Sequence, residues 1–149
     1  MSDEPLTNAV TERMRRAYDF SNERSEAPSI AFTDDFIFFD RRKGGANLGE
    51  GDASYFRRTF EQFWMVGGRP HFSMVEVIAA RGEWCAACVE KVVFGDSGMY
   101  LEHINVMAGH PLRESWRRFA FFDPDDVDAA IAELDRMYAE VDTEPETPS

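Results

Sequence analysis

The chain is poor in cysteine, has no long apolar run and has no excess of positive charge, and each shortage removes a class of function. Two cysteines in 149 residues are too few for a disulfide scaffold. A domain of this size buries roughly 70% of its unfolded surface and needs neither disulfide nor metal to fold. No stretch approaches the ~20 apolar residues of a membrane span. Sixteen basic residues against 28 acidic ones leave a net charge of -12, which repels phosphate backbones and anionic membrane surfaces. Neither nucleic acid nor membrane is an expected partner. Met1 to Pro5 offers no basic n-region and no apolar h-region, so a cytoplasmic protein is expected. Gly44-Gly45 and Gly49-Glu50-Gly51 fit neither a phosphate loop nor a dinucleotide fingerprint. The three histidines, His71, His103 and His110, have no zinc-ligand spacing. No metal and no cofactor is expected.

What is present is the composition of an ordinary globular domain, 44% hydrophobic and 30% charged, with none of the bias of collagen-like or disordered chains. Leu6, Ala9, Val10, Met14, Ala17 and Tyr18 recur at helical spacing and predict a first helix over about Pro5 to Phe20. Pro28 interrupts the stretch Glu23 to Thr33, which holds a short helix at most. The run Phe36 to Arg42 reads as a strand, followed by a Gly44-Gly45 turn and a short second strand ending near Leu48. Ala53, Phe56, Phe60, Phe63 and Trp64 share a helical face between an Asp52 cap and a Gly67-Gly68 stop. The period then changes toward two. Strands are expected over about 70–80, 84–94, 99–107 and 112–122, with connections short enough for an antiparallel meander. A last helix, capped by Asp123 with Pro124 at its first position, presents Val127, Ala130, Ile131, Leu134, Met137, Tyr138 and Val141 on one face. A single domain over 1–142 and a disordered acidic tail over 143–149 are the expected organisation.

Helices first, then a strand pair, a helix and a long meander describe an α+β architecture, a curved antiparallel sheet wrapped around helices. With Thr33-Asp34-Asp35-Phe36 through Asp40-Arg41-Arg42, Leu48 to Ala53 leading into a helix, and Phe122 to Asp126 followed by Ala129-Ala130 and Leu134, this order resembles the NTF2-like superfamily. More narrowly it is similar to SnoaL-like, polyketide cyclase or ketosteroid isomerase-like domains, over most of the chain from Asp34 to Tyr138. The resemblance implies a conical half-barrel with N-terminal helices, a C-terminal helix, an interior pocket and a homodimer built on the outer sheet face. It does not imply one reaction, because the family includes isomerases, dehydratases, cyclases, epoxide hydrolases and noncatalytic binding domains. The Asp-Arg-Asp arrangement of limonene epoxide hydrolases and the Tyr-Asp pairs of ketosteroid isomerases find no residue-by-residue match, so no catalytic residue carries over.

A site is sought instead in the strand register. A tight turn between Gly95 and Gly98 sets Glu90 opposite His103 and Lys91 opposite Glu102, both charge-compatible pairs. A shift by one residue sets Glu90 against Glu102, so electrostatics favours the first alignment. Treating Arg81-Gly82 as the next turn places Ser73 beside Glu90 and His71 beside Val92. One sheet face then carries Ser73, Cys88, Glu90, Leu101, His103 and Asn105, soft apolar groups with a few polar ones, as a ligand cavity requires. The expected acid–base pair is His103 with Glu90, with Asp40 as an auxiliary acid or base; Tyr18, Ser73, Cys88, Leu101, Asn105 and Trp116 line the pocket. The plainer alternative is a structural pair in which Glu90 and His103 satisfy each other's buried polarity, the commoner use of such groups. The function these residues imply is binding of a small apolar organic ligand, with cofactor-free isomerisation, cyclisation, dehydration or hydrolysis as its chemistry. A noncatalytic dimerisation or ligand-sensing domain is the alternative.

Sharper-looking signals fail on context. Ser73, Glu90 and His103 do not make a hydrolase triad, because strand spacing puts glutamate between serine and histidine and leaves those two roughly 10 Å apart. Trp84-Cys85-Ala86-Ala87-Cys88 matches a thioredoxin motif, but on a strand Cys85 and Cys88 point to opposite faces and cannot bridge. His71, His103 and Glu90 as a metal site lie two strands apart. The Arg41-Arg42-Lys43, Arg57-Arg58 and Arg117-Arg118 clusters read mainly as solvated or ion-paired groups, an anion anchor being the minority use.

Overall fold

A computed structural model describes residues 6–24, 31–43, 47–67, 70–95 and 97–142, without the side chains of 24, 63–67, 141 and 142. The Gly44-Gly45 turn, the stretch around Pro28 and the tail from Thr143 lie outside the described residues. Three helices and six strands follow one another as α1 (Ala9–Arg24), β1 (Ala31–Asp40), β2 (Glu50–Gly51), α2 (Ala53–Gly67), β3 (Pro70–Arg81), β4 (Cys85–Phe94), β5 (Tyr100–Gly109), β6 (Ser115–Phe122) and α3 (Val127–Asp142). The strands form one curved, unclosed sheet in the order β2-β1-β6-β5-β4-β3. It is a mixed sheet: β3 to β6 make the expected antiparallel meander, while β1 lies parallel to β6. A parallel neighbour requires a long crossover, and the chain between β1 and β6 supplies it.

The first helix starts later than its apolar spacing predicts. Asn8 is its cap: its Oδ1 accepts from Thr11 N at 3.1 Å, and the Thr11 hydroxyl accepts from Asn8 N at 2.9 Å. The Asn8 amide also donates to the carbonyls of Gly82 and Cys85, both at 3.0 Å, pinning the helix to the β3–β4 turn. Asp52 caps α2 as expected, its Oδ1 accepting from Tyr55 N at 3.0 Å. At α3 the expected cap is displaced. Asp126 N donates to the Asp123 carbonyl at 3.0 Å, so Asp123 to Asp126 form a turn, and the helix begins at Val127 with the Asp126 carbonyl accepting from Ala130 N.

Two apolar layers enclose the sheet. On its concave side Val10, Met14 and Tyr18 of α1 and Phe56 of α2 pack against Phe36, Phe38, Val92, Phe94, Met107 and Phe119. On the convex side Ala130, Leu134 and Met137 of α3 cover Cys85, Ala87, Ile104, Val106, Ala108, Ala120 and Phe122. The outer sheet face, on which the resemblance implies a homodimer, carries α3 of the same chain over these residues. No described helix is long and apolar enough to cross a membrane.

The β4–β5 hairpin has the expected register, with Glu90 opposite His103 and Lys91 opposite Glu102. Gly98, at φ 73°, takes the left-handed conformation its turn needs. The β3–β4 register is different. Its turn comprises Gly82, Glu83 and Trp84, with Gly82 at φ 56°, so Arg81 pairs with Cys85. Irregularities at Val75 and Ile78 then take back two residues, and Met74, not Ser73, stands opposite Glu90. The net slip at that end is one residue, which turns every side chain to the other face.

Candidate active site

The concave layer leaves a cavity of about 80 Å³ between α1, α2 and the meander. Its walls are aromatic. Tyr18 stacks on Phe72 at 5.4 Å and 11°, Phe72 on Phe60 at 5.9 Å and 16°, and Phe60 on Phe56 at 6.0 Å and 27°, a run of rings with similar planes. Phe119 and Phe121 of β6 close the opposite side.

Three neighbouring polar side chains from β4 and β5 line this cavity. His103 Nε2 lies 2.9 Å from Glu90 Oε1, with the two side chains only 8% and 7% exposed. Asn105 Nδ2 donates to Glu90 Oε2 at 3.3 Å. Two atoms of this cluster, His103 Nδ1 and Asn105 Oδ1, are buried with no hydrogen-bond partner among the described residues. The imidazole rests on Phe121, ring centroids 4.4 Å apart. A carboxylate that holds one ring nitrogen orients the imidazole and leaves the other nitrogen as its reactive position.

Asp40 is elsewhere. Its carboxylate accepts from Arg42 Nε at 2.9 Å, Arg42 Nη2 at 2.6 Å, Arg42 N at 3.0 Å and Leu48 N at 2.8 Å. Burial, the largest single influence, pushes its carboxyl up, but the hydrogen bonds from Arg42 and Leu48 together with the guanidinium charge hold it below the ordinary value. A carboxylate so engaged is an anchor for the loop after β1, not an auxiliary acid or base facing the cavity. Arg42, which it orients, does line the cavity.

The remaining expected wall residues divide. Tyr18, Leu101 and Asn105 line the cavity. Ser73 does not: the slipped β3 register puts it with His71, Asp19 and Asn22 along an open groove that adjoins the cavity at Tyr18 and Phe72. Cys88 is fully buried in the concave core, its thiol 3.8 Å from the Asn105 carbonyl, and is not a wall residue. Trp116 sits farther along, at 5.2 Å from Phe119, with the Arg13 guanidinium 5.7 Å from its ring. Arg13 itself lies 4.5 Å from the Trp84 ring and donates to the carbonyls of Ser115 and His110 at 2.8 and 3.1 Å. Among the described residues no group of three or more His, Cys, Asp or Glu is placed to hold a metal ion.

Reasoning from the meander alone missed Phe121, Phe72 and Arg42. Phe121 stands opposite Asn105 on β6, and only the β5–β6 register, set by an irregular His110 to Glu114 connection, reveals it. Phe72 follows from the β3 slip. Arg42 is one of several arginines in the sequence and is singled out only by its contact with Asp40.

The thiols occupy opposite faces, Cys85 beneath α3 and Cys88 in the concave core. Burial pushes both up to about 12, so neither is a thiolate at neutral pH. Native protein is expected to react with a disulfide reagent at pH 7 only as fast as it opens, and to show immediate labelling of both thiols in denaturant. Rapid native labelling contradicts this burial.

No protein-family model and no curated protein matches the chain. Among solved structures it is similar to a protein of unknown function with a cystatin-like fold from Methylobium petroleophilum PM1, with TM-score 0.58 and 16% identity over 80% of this chain and 78% of that one. It is also similar to AclR, a proposed hydroxylase from Streptomyces galilaeus, with TM-score 0.51 and 9% identity over 94% and 91% of the two chains. A proposed SnoaL-like polyketide cyclase from Jannaschia sp. CCS1 gives TM-score 0.50 and 11% identity over 90% and 96%. At these identities the likeness is one of fold: the chain shares the cystatin-like α+β fold of these structures, helices packed on a curved, unclosed mixed sheet.

Proposed function

We propose that the protein binds a compact organic ligand in the aromatic cavity and transfers a proton to or from it without a cofactor. His103 is the acid–base group and Glu90 orients its ring. One observation carries this reading: the buried Nδ1 of His103 has no hydrogen-bond partner among the described residues, while Nε2 is held by a carboxylate at 2.9 Å. A purely structural pair would be expected to satisfy both nitrogens, because a buried polar atom left unpaired costs about 1–3 kcal/mol. The proposed cyclase among the similar folds supports the choice of chemistry by analogy. A noncatalytic ligand-sensing role is the second reading, supported by the mutual pairing of Glu90 with His103 and Asn105, which a site without chemistry also makes.

Incorporation of solvent deuterium into compact enolisable aromatic ketones, followed by NMR, tests the catalytic reading. Wild-type protein is expected to accelerate exchange of at least one of them. Glu90→Gln, which keeps a hydrogen-bonding group in place but removes the charge, should slow exchange by about 10²–10⁴-fold with the melting temperature little changed. Ligand binding without exchange by the wild-type protein leaves the sensing role standing, and absence of both binding and exchange removes the site.

A further inference from the structure

The cavity, about 80 Å³, has room for a compact group only, and it adjoins a larger space. An open groove of about 420 Å³ runs between α1 and β3, and Tyr18 and Phe72 line both it and the cavity. Their rings stack at 5.4 Å and 11°, so groove and cavity meet at one aromatic pair. Asn22 of α1 holds this junction together: its amide donates to the Phe72 carbonyl at 2.8 Å and accepts from Phe72 N at 2.9 Å. Helical spacing divides α1 between the two spaces. Met14 and Tyr18, four residues apart, line the cavity, while Arg15, Asp19 and Asn22, at intervals of four and three, follow the groove.

The groove supplies a cation that no carboxylate of the protein holds. Arg15 is half-buried, and among the described residues it makes no ion pair. Its guanidinium is close enough to the concave core for its charge to act on the buried Cys88 thiol, against the larger effect of burial. Asp19 and Glu23 also line the groove, but both are exposed, so water and salt screen their charges.

We infer that the ligand is an elongated amphiphile with a carboxylate head, its apolar end in the aromatic cavity and its carboxylate on Arg15 in the groove. This rests on the proposed ligand-binding role of the cavity and gives the compact group held there a charged extension. A guanidinium meets a carboxylate through two parallel charge-assisted hydrogen bonds, a geometry that an alcohol or an ammonium head does not reproduce. The apolar end passes the Tyr18–Phe72 junction and is removed from water by the rings beyond it.

Calorimetric titration of the full chain with octanoate, octan-1-ol and octyltrimethylammonium, below their micelle concentrations, tests the head group, and fluorobenzene followed by fluorine NMR reports on the cavity. Octanoate is expected to bind about tenfold more tightly than octan-1-ol and to displace fluorobenzene. The net charge of -12 repels anions, so such a preference reports a local cation and not the overall field. Arg15→Gln, checked for folding by its melting curve, should remove the preference and leave octan-1-ol binding unchanged; a preference that survives in the folded variant overturns Arg15 as the anchor. Equal or tighter binding of octan-1-ol or octyltrimethylammonium by the wild-type protein overturns the carboxylate head. Fluorobenzene binding that octanoate does not displace overturns the shared recess and leaves the cavity's binding role standing. Failure of all the probes to bind at millimolar concentration overturns the inference together with that role. The wild-type comparison decides even where the variant does not fold.

Discussion

Asp40→Ala is expected to lower folding stability by about 3–5 kcal/mol, measured by chemical denaturation at neutral pH. The Asp40 side chain is wholly buried and Arg42 only 11% exposed, so removing the carboxylate takes charge-assisted hydrogen bonds at 2.9 and 2.6 Å from a nearly desolvated guanidinium. The backbone N–H groups of Arg42 and Leu48 also lose their acceptor. Asp40→Asn, which keeps part of the hydrogen bonding, should lose less. The pH dependence has a definite sign. The folded-state carboxyl lies below its ordinary value of 3.8, so the stabilisation is fully present above the unfolded-state pKa and is lost as pH falls through the folded one. The gap between wild type and Asp40→Ala should therefore be flat above about pH 5 and narrow below about pH 4. A gap that is small at neutral pH, or that widens in acid, contradicts the anchoring role.

Phe119→Ala should cost a comparable amount, about 3–5 kcal/mol. Phe119 is 2% exposed and makes edge contacts with Phe32, Phe36 and Phe56 at 6.4, 5.5 and 5.5 Å. These join β1, β6 and α2 in one aromatic cluster, and aromatic pairs contribute about 0.5–1.5 kcal/mol each beyond area burial. Because Phe119 is also a wall of the cavity, the volume it vacates joins a space that is already apolar. Benzene should then raise the melting temperature of the variant more than that of the wild-type protein, since a ligand that binds only the folded state stabilises it. A variant destabilised by less than about 1 kcal/mol, or indifferent to benzene, places Phe119 outside both the core and the cavity wall.

How much of the site could be read without coordinates depends on how local its causes are. Glu90 and His103 belong to one hairpin whose ends are close in sequence, and the pairing of 90 with 103 and 91 with 102 avoids the like-charge contact of Glu90 with Glu102 that a one-residue shift brings. Ser73 failed for the opposite reason. Its alignment passes through a three-residue turn and two irregularities, each of which changes the register by whole residues, and apolar β-strands carry no mark of where these fall. The expectation of Asp40 as an auxiliary acid or base rests on its place at the end of the first strand alone. Its use is decided by Arg42 and Leu48, on a loop whose path is not encoded in local periodicity.

The amino-acid sequence by itself determined the order of helices and strands, the β4–β5 pairing that joins Glu90 to His103, and the opposite orientations of Cys85 and Cys88, because alternation and turn chemistry act over a few residues. Tertiary structure decided that β1 lies parallel to β6, that α3 covers the outer face, that Phe72 and not Ser73 faces the cavity, and that Asp40 is spent on Arg42. Those outcomes depend on which distant surfaces bury each other, and packing between segments far apart in the chain leaves no periodic signature in either one.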